Sequence, residues 1–405
     1  MTSPHPIEIF APGRAELLGN HTDYNEGLVM AIAVDRGITM RGRKSKDGQI
    51  RLRSESMDDE VVLKLDQLAP QAGPEEWANY LLGVVELFQE RGEWIDGFEA
   101  EVASDLPMGA GLSSSAALEV ATGLFLQTAF KTHLEPLELA RIAQKAEHTY
   151  TGVQCGLLDQ ISSLMSQAGH VTFIDCRTYE VQHVPLPEGV GFVIANSGVK
   201  HALTGGEYNE RRASCEAAAQ AFGVEALRDV SPTMLIDRTR IILQALDNGG
   251  SAIGKNADGE DVEVEIDLEL EPGQDPVEAH QIAAEAMRIH FRRAAHVVGE
   301  IARVEQGANF LRAGDAREFG RLMYASHESS IINFENSCPE LDALVEATRG
   351  MDYCYGARLS GGGFGGATIN LVEAGREDDF VTAINQAFPG TECLVTSAAA
   401  GAGMK

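Results

Sequence analysis

The run Leu106-Pro107-Met108-Gly109-Ala110-Gly111-Leu112-Ser113-Ser114-Ser115-Ala116-Ala117 stands directly before a helix-forming segment. Glycines let the backbone approach a ligand closely, serines cap helices, and a helix N-terminus presents unpaired amides to an anion. The pattern suits a phosphate cradle, and it equally suits a Gly-Ser turn with an ordinary serine cap. A second cluster, Gly13-Arg14 followed by Gly19-Asn20-His21-Thr22-Asp23-Tyr24-Asn25-Glu26-Gly27, sets many polar side chains between apolar stretches. Such a set fits a site that reads sugar hydroxyls, or a plain polar loop.

Two glycine-rich segments are decoys. Gly249-Gly250-Ser251-Ala252-Ile253-Gly254-Lys255-Asn256 nearly spells a Walker A loop, but Asn256 replaces the Ser or Thr whose hydroxyl would meet magnesium. It also has no strand before it and no helix after it. Gly361-Gly362-Gly363-Phe364-Gly365-Gly366 does not lie between a first strand and a helix, as a dinucleotide-binding fold requires.

Elements that must position these residues follow from periodicity. Ile7–Ala11 reads as a strand that breaks at Pro12-Gly13, with a loop after it. Leu28–Val34 and Ile50–Leu65 read as strands, with Asp47-Gly48 as a turn. Ser115–Phe130 predicts a helix with Ala117, Val120, Ala121, Leu124 and Thr128 on its buried face. A second helix starts at Pro136 and buries Leu139, Ile142, Ala143 and Ala146. Strands are expected at Val171–Ile174, Phe192–Ala195 and Gly366–Val372. Helices are expected at Tyr208–Phe222, Ala279–Ala308 and Pro339–Thr348. The order is mixed α+β. Between Asp247 and Asp275 the composition turns to Gly, Asp and Glu, which suits a solvent-exposed insertion, with alternation at Val262–Ile266 that suits a hairpin.

At 405 residues the chain exceeds one usual core, so two domains are expected. The formal net charge of −29 disfavours nucleic acid and anionic membrane partners. No apolar run approaches the ~20 residues that cross a bilayer, and Met1–Ile9 lacks the features of a secretory signal. The six cysteines are scattered without metal-binding spacing and read as reduced thiols, so a cytoplasmic location is expected.

Three segments in order resemble the galactokinase family of the GHMP kinase superfamily. They are Ala11-Pro12-Gly13-Arg14 through Gly27, Pro107–Ala117, and Gly356-Ala357-Arg358-Leu359-Ser360-Gly361 through Gly366. Trp77–Tyr80, Ala146–Tyr150, Cys155–Gln160, Asn196–His201, Glu207-Tyr208 and Ser337–Asp342 are similar to that family too; only the insertion looks foreign. The resemblance implies an α+β, two-lobed fold, with an N-terminal lobe like ribosomal protein S5 domain 2 over 1–205. A ferredoxin-like C-terminal lobe over 206–405 would carry the insertion at about 248–275.

It further implies ATP-dependent phosphorylation of the anomeric hydroxyl of galactose by a monomer or weak homo-oligomer, with Mg2+. Asp159 matches the catalytic aspartate and Arg14 the arginine beside it; an adjacent guanidinium favours the charged carboxylate. Gly109, Gly111, Leu112, Ser113, Ser114, Ser115 and Ala116 match the ATP-phosphate loop, and Trp77 a position near adenine. Ser115 and Glu147 match the metal ligands, and Asn20, His21, Asp23, Gly156 and Tyr208 the sugar contacts.

The chain departs from the family at Ala15-Glu16, where Val-Asn is typical, and at Asn20, where Glu faces the sugar's C6 hydroxyl. Asparagine is neutral and both donates and accepts. A sugar altered at C6, such as galacturonate, is therefore an alternative to galactose, and a non-catalytic sugar sensor is a third reading.

Overall fold

The computed structural model describes residues 6–107, 109–199, 204–248, 251–255, 261–265 and 275–405. Met108, Lys200, His201, Gly249, Gly250, Asn256 and Ile266 of the segments above lie outside them. The chain begins with β1 (Ile7–Leu18) and β2 (Leu28–Lys44), then β3 (Gln49–Ser54), β4 (Asp59–Lys64), α1 (Asn79–Glu90) and β5 (Phe98–Ser104). Next come α2 (Ser114–Phe130), α3 (Pro136–Tyr150), α4 (Leu158–Met165), β6 (His170–Asp175), β7 (Val181–Pro185) and β8 (Val190–Asn196). The second half holds α5 (Thr204–Phe222), α6 (Pro232–Asp247), β9 (Ser251–Lys255), β10 (Asp261–Glu265) and α7 (Pro276–Arg312). It ends with α8 (Ala316–Ser329), a π turn at Ser330–Phe334, α9 (Pro339–Thr348), β11 (Cys354–Ser360), β12 (Ala367–Glu373), α10 (Glu377–Ala387), β13 (Cys393–Thr396) and β14 (Gly403–Met404).

The first sheet has the order β14-β1-β2-β5-β3-β4, with β6 and β7 extending from β2; the second has the antiparallel order β11-β12-β8-β13. α2 and α4 lie on the first sheet with α1 and α3 packed against them, and α8, α9 and α10 pack on the second. β8 lies inside the first expected span, 1–205, yet pairs with β12 and β13. The sheets therefore part between β7 and β8 rather than at residue 205. A continuous core joins the lobes, running from Ala15 and Leu17 of β1 through Met30 and Ile32 of β2 to Phe192, Ile369 and Phe319.

β1 does not break at Pro12-Gly13. Pairing to β2 continues to Leu18 with a register shift between Pro12 and Arg14, a bulge that absorbs the proline without ending the strand. Past the bulge, the Arg14 amide donates to the Leu112 carbonyl at 3.1 Å, tying β1 to the loop before α2. In α2, Thr128 faces solvent, and Phe125, Leu126 and Ala129 are buried in its place. The helix is apolar on most sides, because α1, α3, α4 and the sheet all contact it. The buried face expected for the helix at Pro136 is present in α3. β9 and β10 form an antiparallel hairpin in the insertion, and the near-Walker segment from Ser251 to Lys255 is a strand of that hairpin.

The C-terminal tail returns to the first sheet. Ala399 donates to Ala33, Gly401 to Ser166 and Ala402 to Ser163 before β14 pairs with β1 at Ile9 and Phe10.

Candidate active site

Along β1 the register between Arg14 and Glu16 is unbroken, so both side chains leave one face of the strand while Ala15 points into the core. Arg14 Nε donates to Asp159 Oδ1 at 2.7 Å, Nη2 to Asp159 Oδ2 at 3.0 Å, and Nη1 to the Gly111 carbonyl at 2.6 Å. A planar guanidinium met by a carboxylate on two nitrogens fixes both groups in orientation. Asp159 sits in the first turn of α4, and the Ser113 hydroxyl donates to its Oδ2 at 2.5 Å.

Ser113 is the residue before α2, yet its hydroxyl caps nothing in the helix. This differs from the expected serine cap, and the cause is visible: Ser113 adopts φ 55°, a left-handed conformation unusual for a side-chain-bearing residue, which turns the hydroxyl to Asp159. The first-turn amides of α2 are thus left without a side-chain cap, at a helix end whose dipole favours anions. Ser113, Ser114 and Ser115 all line the cleft there.

Behind this turn lie two carboxylates on neighbouring helices. Gln160 Nε2 donates to Glu119 Oε2 at 3.0 Å and to Glu147 Oε2 at 3.1 Å, and the Cys155 thiol donates to Glu147 Oε2 at 3.0 Å. Burial pushes both acids above the usual carboxylate range. Ser115 and Glu147 both line the cleft, so a hydroxyl and a carboxylate meet at its wall. Oxygen donors of this kind suit a hard divalent cation that draws its remaining ligands from water and phosphate.

The polar turn after β1 faces them. His21, driven down to about 3 by burial, is neutral; its Nδ1 pairs with the Tyr24 hydroxyl at 2.9 Å and its Nε2 with the Gly362 carbonyl at 3.0 Å. Asn20 Nδ2 donates to the Gly361 carbonyl at 2.8 Å and to Glu16 Oε2 at 3.2 Å, and its Oδ1 accepts from Asn336 Nδ2 at 2.9 Å. Asn20 and His21 therefore stitch the first glycine-bearing segment to the third. The turn itself is gripped from α7, where Glu300 Oε2 accepts from the backbone amides of Gly19 and Asn20 at 2.9 and 3.0 Å. Burial alone would raise Glu300, but Arg303, His296 and Arg358 bring it down to about 2.

Asp23 is the carboxylate in this turn with free capacity toward the cleft. Burial, helped by Glu16 and Asp159, lifts it to about 7. Gly156 makes its position possible, since a Cβ there would overlap the Asp23 carboxylate. Tyr208 of α5 closes that side, its ring centroid 5.2 Å from that of His21.

A cleft of about 580 Å³ collects Arg14, Asn20, His21, Asp23, Gly109, Gly111, Leu112, Ser113, Ser114, Ser115, Glu147, Gly156, Asp159 and Tyr208. Ala116 is fully buried beneath the helix turn. Trp77 is not brought to this wall: its indole donates to Asp59 at 3.1 Å and it packs on the first-sheet core. Sequence reasoning gave no role to Glu119, Gln160, Asn336 or Glu300. None stands beside the segment it serves, apart from Gln160, whose place next to Asp159 was the available signal.

Comparisons with known proteins match this geometry. Residues 2–44 match the galactokinase galactose-binding signature, 79–167 the GHMP kinase N-terminal domain and 308–390 the GHMP kinase C-terminal domain. Galactokinase of Homo sapiens is 39% identical over 401 residues, covering 97% of this chain and 91% of that one. The chain belongs to the galactokinase family. Galactokinase of Roseiflexus sp. (strain RS-1) is 37% identical over 95% of this chain and 88% of its own. Among solved structures, Lactococcus lactis galactokinase complexed with galactose superposes with a TM-score of 0.82 at 29% identity, over 99% of this chain and 96% of that one. Mevalonate kinase of Methanococcus jannaschii, 16% identical with a TM-score of 0.61 over 98% and 99% of the two chains, shares the fold. As a member of the galactokinase family the chain is a sugar kinase with the two-lobed GHMP architecture. Among the described residues, no helix is long and apolar enough to cross a membrane.

Proposed function

We propose that this chain transfers the γ-phosphoryl group of ATP to the anomeric hydroxyl of galactose, giving galactose 1-phosphate and ADP. The observation that carries the reading is the Arg14–Asp159–Ser113 cluster beside the uncapped start of α2, in one cleft with the carboxylate of Asp23. The α2 amides and the Gly109–Ser115 turn cradle the nucleotide's phosphates, and Asp23 and Tyr208 take the sugar. Asp159 orients the attacking hydroxyl and receives its proton as the new O–P bond forms and the bond to ADP breaks. Arg14 offsets charge on the phosphoryl group, whose transfer leaves the protein mainly positioning and electrostatics to supply. Ser115 and Glu147 would hold Mg2+, which would supply positive charge to offset that of the nucleotide's phosphates.

A uronic acid substrate is not favoured. Its carboxylate would enter a cleft lined by Glu16, Asp23 and Asp159, and Asn20 has its amide committed to protein partners. The intact Ser113–Ser115 turn and the paired Asp159 speak against a sensor. We place the enzyme in the cytoplasm, as a monomer or weak homo-oligomer acting on small molecules, in keeping with its six free cysteines and its charge of −29. A coupled ADP-release assay with ATP, Mg2+ and a panel of galactose, glucose, galactosamine, N-acetylgalactosamine, arabinose and galacturonate tests it. Galactose should give the highest kcat/KM, and no turnover with any sugar would overturn the reading.

A further inference from the structure

Glu16 and Asn20 carry an acid and an amide in the reverse of the family's usual order, and in the fold the two side chains touch. Asn20 Nδ2 donates to Glu16 Oε2 at 3.2 Å, and both residues line the cleft. An exchange between touching positions keeps the same pair of groups in the same small volume. What changes is which residue holds the carboxylate. Asn20 has no group to spare, because both amide protons go to Glu16 and Gly361 and its oxygen accepts from Asn336 and, at 3.5 Å, from Ser330. Glu16 Oε1 accepts from Arg358 Nη1 at 3.2 Å and Oε2 from Asn20, so each oxygen keeps a lone pair for another donor. Glu16 stands two residues past Arg14 on the same strand face, with side-chain origins about 6.6 Å apart. A sugar with its reacting hydroxyl at Arg14 and Asp159 thus brings a second hydroxyl within reach of Glu16.

We propose that Glu16 is a substrate-binding residue that accepts a hydrogen bond from a sugar hydroxyl, and that Glu16 and Asn20 act as one transposed pair. The inference rests on the sugar-kinase reading. Its test compares wild type, Glu16→Asn, Asn20→Glu and the double exchange, by Tm without ligands and by kcat/KM for galactose and each monodeoxygalactose. Asn20→Glu sets two buried carboxylates against each other, and Glu16→Asn leaves Arg358 without its acid, so each single change lowers Tm and lowers kcat/KM on the order of 10²-fold. The double exchange recovers both, with activity at least about tenfold above the product of the singles. Wild type discriminates against one monodeoxygalactose, and Glu16→Asn loses that discrimination alone, a change that general destabilisation does not produce. Glu16→Asn retaining the wild-type ranking of all monodeoxy sugars removes Glu16 from the sugar site, and singles that simply multiply in the double remove the pairing. Failure of wild type on galactose would refute the functional reading instead, with the pairing still decided by the Tm series.

Discussion

Arg14 and Asp159, 145 positions apart in the chain, meet in a two-pronged ion pair at 2.7 and 3.0 Å. The third Arg14 nitrogen holds the Gly111 carbonyl, so one side chain sets both the carboxylate and the backbone of the turn before α2. Asp159→Asn keeps the shape of the side chain and removes its charge. Turnover is expected to fall on the order of 10²-fold or more, with sugar binding by calorimetry near wild type. A variant with undiminished kcat would take Asp159 out of the reaction.

Gly156 leaves room for the Asp23 carboxylate, and a methyl group in that space must push it aside. Gly156→Ala should therefore cost about 10²-fold in kcat/KM for the sugar, mostly through KM, because a small displacement of a binding group is expensive. The KM for ATP should hardly move. Equal losses for both substrates would point to a general disturbance of the cleft.

Asp23 predicts a pH effect with a definite sign. Its folded value near 7 lies above the ordinary 3.8, so the folded state holds this proton more tightly than the unfolded chain. The resulting stabilisation is complete below pH 3.8 and is lost as pH rises through 7. Sugar hydroxyls donating to the ionised form act the other way, so affinity should climb as pH rises from 6 toward 8, with a proton released on binding. Calorimetry in buffers of different ionisation enthalpy measures that release, and Asp23→Asn should abolish it.

Glu300 accepts three hydrogen bonds on one oxygen, from Gly19, Asn20 and Ser326, and pairs with Arg303 through the other at 2.6 Å. Glu300→Ala leaves Arg303 and two backbone amides without their acceptor, and should destabilise the protein by about 3–5 kcal/mol. Because Glu300 is held near 2, its contribution is present above pH 4.5 and fades as pH falls toward 2. Urea titration reads the loss as a lower midpoint, and an unchanged midpoint would show that α7 does not hold the turn.

Arg14, Ser113–Ser115 and Asp159, singled out from contiguous segments and from the family resemblance, line one cleft. The helices with clear spacing, α2 and α3, were legible in the sequence as well. Glu16–Arg358, Asn20–Asn336 and Gly19–Glu300 were not, because each joins segments roughly 280 to 340 positions apart and no local pattern marks the partner. Thr128 was misplaced because spacing identifies a face only when one side of a helix is wet, and α2 is covered on most sides. Trp77 is half-buried, packs beside the first-sheet core and is absent from the cleft lining.

The returning tail gives the order of synthesis a physical meaning. Ala402 donates to Ser163 and Gly401 to Ser166, at the far end of the short helix whose first turn holds Asp159, before β14 completes the edge beside β1. On a ribosome these residues emerge after everything they brace, so the nascent chain carries an open strand edge and an unbuttressed α4 until this stretch has left the exit tunnel. A product lacking this stretch would be left without that brace.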